Sequence, residues 1–394
     1  MNNSNSIVAD QAQTLTQRYK RIFGGTPRLY QAPGRVNLIG EHTDYNDGFV
    51  MPAAIGFYTW AAIEPRMDRM LVVESVNFSE RVEFNLDLLP SKSKGHWSDY
   101  VAGVAKIFAQ SGIRMSGANL LIEGDVPQGA GLSSSASIEV AVGYAFMELT
   151  GQSIDRRTLA LQCQKAENEF VGARCGIMDQ FVSCHGKRDT ALLLDCRSLE
   201  YRLLPLPANA LLVICNTMVK HSVSGGEYNQ RRAECEAGVK FLSQRSPKVR
   251  ALRDVTLSDL AAYGGDLPEI LLKRCRHVIT ENSRVLEGAC ALERKDIETF
   301  GQLMGESHRS LRDDFEVSCC ELDLLVEVAQ ETEGVYGARM TGGGFGGCTI
   351  NLVHPDFVEA FKLKISKGYE RANGYRPEIH VCTAADGVSK LQQS

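Results

Sequence analysis

Two acids, a histidine and a threonine precede an Asn-Asp-Gly turn in a segment of this 394-residue chain that reads GRVNLIGEHTDYNDG. The segment runs from Gly34 to Gly48 and has the pattern of a strand that ends in a polar turn. A hairpin turn needs only the last three residues, whereas fixed carboxylates and other hydrogen-bonding groups suit a ligand with many hydroxyls. A solvated hairpin tip is the alternative. The spacing of a calcium-binding EF-hand loop is absent, because Gly48 takes its fifth position and Ile55 its twelfth.

A second segment, Gly129 to Ser135, lies between a predicted strand over 120–122 and a predicted helix over 137–149. Glycines let backbone N–H groups turn toward an anion, the helix N-terminus adds the positive end of its dipole, and serine hydroxyls add donors. A phosphate group therefore suits this loop, and a serine-capped helix after a flexible turn is the alternative. The P-loop motif is absent, because the only Gly-Lys pair, Gly186 and Lys187, is not followed by serine or threonine.

A third segment, Thr341 to Gly347, reads TGGGFGG and contains the spacing Gly-x-Gly-x-x-Gly. A dinucleotide-binding fingerprint must open a helix, whereas residues 348–353 have the pattern of a strand. We therefore predict a glycine turn that brings backbone close to a ligand or to the other glycine loop, with a purely structural tight turn as the alternative. Two further acids, Glu167 and Asp179, have local surroundings that by themselves indicate only surface positions.

The elements that must position these segments alternate between strands and helices, with no internal repeat. Short strands dominate the first quarter, and long helical patterns follow residue 205. We predict an α+β fold of two domains, residues 1–205 and 206–394, with a ligand site in the cleft between them. The predicted strands cover 35–40, 49–55, 58–63, 70–75, 81–84, 120–122, 191–195, 211–214, 335–340, 348–353 and 379–382. The predicted helices cover 9–23, 100–108, 137–149, 158–170, 228–243, 268–293, 297–311, 321–331 and 357–369.

Composition and charge exclude several functional classes. Lys and Arg total 43 against 48 Asp and Glu, and the net charge of -5 lacks the basic footprint of nucleic-acid binding or of attachment to an anionic membrane. No apolar stretch approaches the roughly 18 residues of a membrane span, and the polar opening residues do not resemble a signal peptide. We expect an unexported, cytoplasmic protein whose twelve cysteines are free thiols, since none forms a Cys-x-x-Cys pair.

Taken together, the three glycine segments resemble, in order and spacing, the three motifs of the GHMP kinase family, and the string EHTDYNDG resembles that of the galactokinases within it. The similarity runs from about Pro33 to the C-terminus. It implies an N-terminal domain similar to the second domain of ribosomal protein S5 and a ferredoxin-like C-terminal domain, with the active site between them. It also implies ATP-dependent phosphorylation of the C1 hydroxyl of α-D-galactose, with Mg²⁺ as cofactor, by a monomeric enzyme.

Matching the motifs position by position implies roles for individual residues. Asp179 resembles the carboxylate that faces the C1 hydroxyl, and Arg35 resembles the cation beside it. Ser135 and Glu167 resemble the family's magnesium ligands. The residues that resemble sugar contacts are Glu41, His42, Thr43, Asp44, Gly176 and Tyr228. The residues that resemble nucleotide contacts are Ser75, Gly129, Ala130, Gly131, Leu132, Ser133, Ser134 and Ser135, with Trp97 as a candidate neighbour of the adenine.

The implied activity agrees with what these residue types can do. Phosphoryl transfer needs mainly alignment and charge neutralisation, which loop N–H groups, Mg²⁺ and an arginine would supply, with one carboxylate to accept or orient the hydroxyl proton. Two alternatives remain: a kinase of this family for another sugar, such as N-acetylgalactosamine, and a non-enzymatic galactose-binding sensor. A sensor could dispense with Arg35, Asp179 or the serine run, and all of them are present.

Overall fold

The computed structural model describes residues 2–151, 155–219 and 226–392, with side chains described from Asp10 onward. Within these residues the chain forms three β-sheets and the helices that cover them. The strands are β1 (Arg28–Asn37), β2 (Phe49–Val50), β3 (Pro52–Pro65), β4 (Met70–Ser75), β5 (Glu80–Asn85), β6 (Ala118–Gly124), β7 (Thr190–Asp195), β8 (Tyr201–Pro205), β9 (Leu211–Asn216), β10 (Val335–Thr341), β11 (Cys348–Val353), β12 (Glu378–Cys382) and β13 (Ser389–Leu391). The α-helices are α1 (Asn2–Phe23), α2 (Ser98–Gln110), α3 (Ser134–Thr150), α4 (Arg156–Ala166), α5 (Met178–His185), α6 (Gly226–Ser243), α7 (Leu257–Tyr263), α8 (Glu269–Glu293), α9 (Ile297–Asp313), α10 (Cys320–Gln330) and α11 (Val358–Asn373).

The largest sheet has the strand order β13-β1-β3-β6-β4-β5. β1 and β3 pair antiparallel, and their register shifts at Gly34. A Cβ atom at Gly34 would lie 2.7 Å from the carbonyl oxygen of Leu132, so only glycine permits this approach. The backbone N–H of Arg35 donates to the same carbonyl at 3.0 Å. This bulge therefore joins the strand that carries Arg35 to the second glycine segment.

Helices α2 to α5 enclose the main hydrophobic core against this sheet. The core includes Tyr30 from β1, Val104 from α2, Val140 from α3 and Phe181 from α5, all of which are buried. A fully buried side chain of this kind contributes about 1.5–3 kcal/mol relative to an exposed one. The packing fixes the N-termini of α3 and α5 relative to β1, and those two helix ends carry the second glycine segment and Asp179.

The second half of the chain forms an antiparallel sheet of order β10-β11-β9-β12, and β2, β7 and β8 form a smaller sheet. Helices α10 and α11 cover one face of this four-stranded sheet through buried residues such as Leu325 and Phe361. Residues of its strands, among them Ile214 and Ile350, share a second core with Val36 of β1. This shared core holds the two halves together on either side of the cleft.

The end of the chain returns to the first sheet. β13 pairs antiparallel with β1, and Ala384 forms an isolated bridge with Ile55. The N–H of Val388 also donates to the carbonyl of Ser183, near the end of α5, at 2.8 Å. The predicted boundary between residues 205 and 206 stays a prediction, and the structure adds that the last residues pair with the N-terminal sheet.

Most predicted elements are confirmed with ends shifted by a few residues, but the two strands predicted over 49–55 and 58–63 are wrong in their division, because this region forms the short β2 and the continuous β3. Strands β8 and β13 and helix α7 were not predicted because they are short. Helix α5 was also missed, because its eight residues span barely two turns. The helix predicted over 158–170 ends early, since α4 ends at Ala166 and a π-helical turn follows from Glu167 to Val171. The N–H of Gly172 closes that turn on the carbonyl of Glu167 at 2.8 Å. Such turns are rare and often lie at functional sites.

The mixed helix and strand content confirms the predicted α+β class. Among the described helices, none has the combination of length and apolar composition that crossing a membrane requires. All twelve cysteines lie in the described residues as free thiols.

Candidate active site

An arginine–aspartate pair joins β1, the second glycine segment and α5. Arg35 donates from Nε to Asp179 Oδ1 and from Nη2 to Asp179 Oδ2, both at 2.8 Å. Its Nη1 donates to the carbonyl of Gly131 at 2.5 Å, and the hydroxyl of Ser133 donates to Asp179 Oδ2 at 2.6 Å. The side chain of Arg35 is 7% exposed and that of Asp179 25%, so a ligand can reach the carboxylate while the guanidinium stays fixed.

The positive charge of Arg35 is stable. Burial opposes the charge of Arg35, but the carboxylates of Asp179 and Glu41 outweigh it and raise the pKa of Arg35 above its ordinary value. A bidentate arginine–carboxylate pair also fixes the orientation of both groups. The site therefore presents a permanent positive charge beside an open carboxylate, which suits a reaction in which negative charge is redistributed.

The second glycine segment leads directly into α3. Gly129 and Gly131 have φ angles of 71° and 74°, and Ser133 has a left-handed φ of 61°. A non-glycine residue in this region is uncommon, and the hydrogen bond to Asp179 helps to hold Ser133 there. Ser134 and Ser135 begin the 17-residue helix α3, whose N-terminus favours an anion.

The third glycine segment packs against the second. A Cβ atom at Gly342 would lie 2.9 Å from the carbonyl oxygen of Gly131, and one at Gly347 would lie 3.2 Å from that of Ala130. Both glycines also have positive φ angles, 88° and 81°. The prediction that this turn approaches the other glycine loop is therefore confirmed.

The sugar-motif residue Glu41 is held by the second half of the chain. It is 2% exposed, and its Oε1 accepts from the N–H of Gly342 at 2.7 Å, with Arg339 Nη2 at 3.7 Å. Burial raises the pKa of Glu41, and the charges of Arg339 and Arg35 oppose that effect. Glu41 thus ties the polar turn after β1 to the third glycine segment.

His42 and Thr43 are adjacent in the sequence but make different hydrogen bonds. The hydroxyl of Thr43 lies 2.8 Å from the carbonyl of Gly40 and 2.6 Å from that of Phe49, so it donates within the turn. The Nδ1 of His42 lies 2.9 Å from the hydroxyl of Tyr45, while its Nε2 has no hydrogen-bond partner among the described residues. Burial lowers the pKa of His42 to about 3, so the ring is neutral near pH 7. His42 Nε2 is therefore buried and unpartnered among the described residues, and the predicted ligand contacts of His42 and Thr43 stay predictions.

Aromatic rings from both halves surround His42. The ring of Tyr228, on α6, lies 5.5 Å from that of His42 and 5.5 Å from that of Tyr45, and the ring of Phe315 lies 4.6 Å from His42. Burial raises the pKa of Tyr228 well above its ordinary value, so its hydroxyl remains a donor. Helix α6 therefore brings Tyr228 next to the polar turn that carries His42 and Tyr45.

Asp44 lies against the segment before α5. A Cβ atom at Gly176 would lie 2.0 Å from Asp44 Oδ2, so the backbone there approaches the carboxyl directly. Asp44 Oδ1 accepts from the N–H of Tyr45 at 2.9 Å. Burial, and then the negative charge of Asp179, raise the pKa of Asp44 to about 7. Asp44 and Gly176, two of the predicted sugar-contact residues, therefore lie in one region with Asp179.

The raised pKa of Asp44 predicts an effect of pH on stability. Its folded pKa of about 7 exceeds the ordinary 3.8, so the folded state binds this proton more tightly, and the stability contributed by the proton is lost as pH rises through about 7. We expect Asp44→Asn to raise the melting temperature of the ligand-free protein more at pH 8 than at pH 5. Scanning calorimetry at both values tests this, and an equal change at the two would contradict it.

Glu167 and Ser135, the predicted magnesium ligands, lie close together. Glu167 is 8% exposed, and its Oε2 accepts from Gln180 Nε2 at 2.5 Å. Burial and then the negative charge of Asp179 raise the pKa of Glu167. A hydrogen bond from the Ser135 side chain acts in the opposite direction, so the two side chains are in contact. Among the described residues, no group of three or more His, Cys, Asp or Glu side chains could hold a metal ion. One carboxylate and one hydroxyl suit Mg²⁺ when phosphates and water complete its ligands.

A cavity of about 370 Å³ opens beside Ser135. Ser75 and Trp97 line it, and Trp97 stacks on Phe78 with ring centroids 5.6 Å apart and planes 4° from parallel. The indole N–H of Trp97 donates to Glu80 Oε2 at 3.0 Å, which fixes the ring. The predicted nucleotide residues outside the loop thus line one cavity large enough for a small organic ligand.

Sequence reasoning missed several buried side chains of this site. Arg339 is fully buried 3.7 Å from Glu41, and Gln180 donates to both Glu139 and Glu167. Glu139 lies one helical turn after Ser135, so helical spacing was an available signal for Glu139. Gln180 offered only its position next to Asp179, because helix α5 was not predicted. Nothing near Arg339 in the sequence indicates its contact with Glu41.

Comparison with known proteins gives matches along nearly the whole chain. The family models that match are the galactokinase galactose-binding signature over residues 17–65, the GHMP kinases N terminal domain over 99–187 and the GHMP kinases C terminal over 289–371. The galactokinase of Roseiflexus sp. (strain RS-1) is 48% identical over 381 residues, 96% of this chain and 97% of that protein. The galactokinase of Chloroflexus aggregans is 49% identical over 385 residues, 98% of this chain and 99% of that one.

Solved structures agree with these matches. The galactokinase of Lactococcus lactis, complexed with galactose, has a TM-score of 0.94 and 38% identity, covering 96% of this chain and 99% of its own. The mevalonate kinase of Methanococcus jannaschii, at 17% identity and a TM-score of 0.66, covers 92% of this chain and 99% of its own and shares the fold. The two-domain fold and its three glycine segments define a GHMP kinase. Within that class, the chain belongs to the galactokinase family.

Proposed function

We propose that this chain transfers the γ-phosphoryl group of ATP to the C1 hydroxyl of α-D-galactose, giving galactose 1-phosphate and ADP. The open carboxylate of Asp179 carries this proposal, because Arg35 and Ser133 hold it where the phosphate loop faces the polar turn. The similarity to galactokinases over nearly the whole chain supports galactose as the sugar.

Asp179 is proposed to accept or orient the proton of the attacking hydroxyl. Asp179 Oδ2 accepts from both Arg35 and Ser133, whereas Oδ1 accepts from Arg35 and keeps capacity for a further hydrogen bond, because a carboxylate oxygen carries two lone pairs. The charge of Arg35 would stabilise the negative charge on the transferring phosphoryl group. The reaction then requires mainly that the hydroxyl and the phosphoryl group be aligned.

The two substrates are proposed to occupy neighbouring parts of the cleft. Galactose would contact Glu41, the free Nε2 of His42, Asp44 and the hydroxyl of Tyr228, with Thr43 and Gly176 shaping the pocket. The phosphates of ATP would lie on the segment from Gly129 to Ser135, and the nucleoside would enter the cavity lined by Ser75 and Trp97.

We propose that Ser135 and Glu167 hold Mg²⁺ together with the nucleotide phosphates, where the ion would neutralise phosphate charge. We expect Glu167→Gln to raise the Mg²⁺ concentration for half-maximal rate by about tenfold or more, since a neutral amide replaces the charged ligand. Rates measured across a Mg²⁺ titration test this. The control is Glu169→Gln in the same π-helical turn, where the side chain is 58% exposed. An unchanged Mg²⁺ requirement in Glu167→Gln would exclude this ligand.

Turnover of galactose with ATP, followed by ADP release, tests the proposed function directly. A protein that binds galactose without releasing ADP would be a sensor. A higher kcat/KM for N-acetylgalactosamine than for galactose would instead indicate a kinase for that sugar.

Three further properties stand as proposals: domains that divide between residues 205 and 206, a monomer, and a cytoplasmic location. The twelve free thiols support a reducing compartment. Size-exclusion chromatography with light scattering tests the monomer, and limited proteolysis tests the division.

A further inference from the structure

We propose that Gln180 and Glu139 are positioning residues for the magnesium site, in which the Gln180 amide, itself anchored by Glu139, fixes the rotation of the Glu167 carboxylate. This inference rests on the proposed function, which assigns Glu167 as a metal ligand. Neither residue is proposed to contact substrate or metal.

The geometry of the amide carries the inference. Gln180 and Glu139 are completely buried, and Glu167 is 8% exposed. Gln180 Nε2 donates to Glu167 Oε2 at 2.5 Å and to Glu139 Oε2 at 3.1 Å. An amide nitrogen has two hydrogens, so a single group can serve both carboxyls. A second donor to Glu167 Oε2 is the thiol of Cys175 at 3.4 Å, which is a weak donor.

The position of the three residues in the fold explains why this link matters. Glu139 lies on α3, four residues after Ser135, and Gln180 lies on α5, next to Asp179. Glu167 lies on the π-helical turn after α4. One amide therefore connects the helices that carry the hydroxyl ligand and the reacting carboxylate to the turn that carries the charged ligand.

The loss of this link has a predictable effect. Without the amide, the Glu167 side chain could rotate, and Mg²⁺ demands near-ideal octahedral geometry from its ligands. Groups that orient metal ligands typically contribute 10- to 100-fold in metal affinity. Binding of nucleotide without metal should change little, because neither residue belongs to the phosphate loop.

The test measures metal binding to the ADP complex of the full chain, using Mn²⁺ as the probe and the paramagnetic resonance signal of free Mn²⁺ as the readout. We expect Gln180→Leu and Glu139→Leu to weaken Mn²⁺ binding about tenfold or more. Glu139→Gln should stay within about threefold of the native chain, because its amide oxygen can still accept from Gln180. The matched control is Gln164→Leu, whose amide donates instead to the Cys175 carbonyl at 3.3 Å and should leave Mn²⁺ affinity unchanged.

Several outcomes would overturn the inference. Native Mn²⁺ affinity in Gln180→Leu would do so, and so would equal losses in Glu139→Gln and Glu139→Leu, which would show that Glu139 acts through its charge. A general loss of ADP affinity measured in EDTA would show a merely structural role. If Gln180→Leu does not fold, the comparison of Glu139→Gln with Glu139→Leu decides the question. Failure of the proposed metal site itself is distinguishable, because Glu167→Gln would then also bind Mn²⁺ as the native chain does.

Discussion

Replacing Asp179 by asparagine is expected to reduce kcat at least about 100-fold while the protein stays folded. Asparagine keeps the shape of the side chain but removes the negative charge and the ability to accept the hydroxyl proton. It also leaves Arg35, which Asp179 contacts through two hydrogen bonds of 2.8 Å, without its negatively charged partner. Steady-state kinetics with galactose and ATP, together with circular dichroism and binding of both substrates, provide the measurement.

A surface pair of the same geometry provides the control for this substitution. Arg66 donates to both oxygens of Asp68, at 2.8 and 2.6 Å, and Asp68 is 47% exposed. Asp68→Asn therefore removes the same kind of contact in the turn between β3 and β4, which carries no residue of the candidate site, and should leave kcat unchanged. If Asp179→Asn turned over within a few-fold of the native rate, Asp179 would have no part in proton transfer.

Galactose should be preferred over glucose by about 10⁴-fold in kcat/KM. Glucose differs only in the configuration at C4, and a pocket of fixed polar groups leaves some of them unpaired when one hydroxyl changes direction. Glu41 and His42 are held rigidly by the third glycine segment and by neighbouring aromatic rings, so the pocket cannot easily adapt. Competition between the two sugars in one assay provides the measurement, and comparable kcat/KM values would contradict the assignment of these contacts.

Asp44→Ala tests the same pocket from the protein side. We expect it to lower kcat/KM for galactose by about 100-fold or more, with ATP affinity little changed. Asp47→Asn is the matched control, because Asp47 lies in the same turn but is 48% exposed and pairs with Arg197. Asparagine also tolerates its left-handed φ of 57°. Equal losses for galactose and ATP in Asp44→Ala would show that the turn as a whole had collapsed.

The sequence by itself was sufficient for the family, the α+β class and most helices and strands. The glycine segments are informative because close approach of two backbone segments and binding of an anion by backbone N–H groups both require conformations that glycine permits. These requirements are therefore visible in the local sequence as glycines. Gly34, Gly131 and Gly342 each meet another backbone oxygen within the site. Long amphipathic patterns likewise predicted α8 and α9 almost to the residue, because their periodicity extends over many turns.

The tertiary structure alone decided which side chains support these segments. Arg339 meets Glu41 and Gln180 joins Glu139 to Glu167 across elements distant in sequence, and such contacts depend on packing rather than on local pattern. The π-helical turn at Glu167 and the return of β13 to β1 have the same origin, since both depend on neighbouring elements. Local propensity sets individual elements, whereas the orientation of a buried polar group is set by the partners that compensate its loss of water, and those partners come together only in the folded chain.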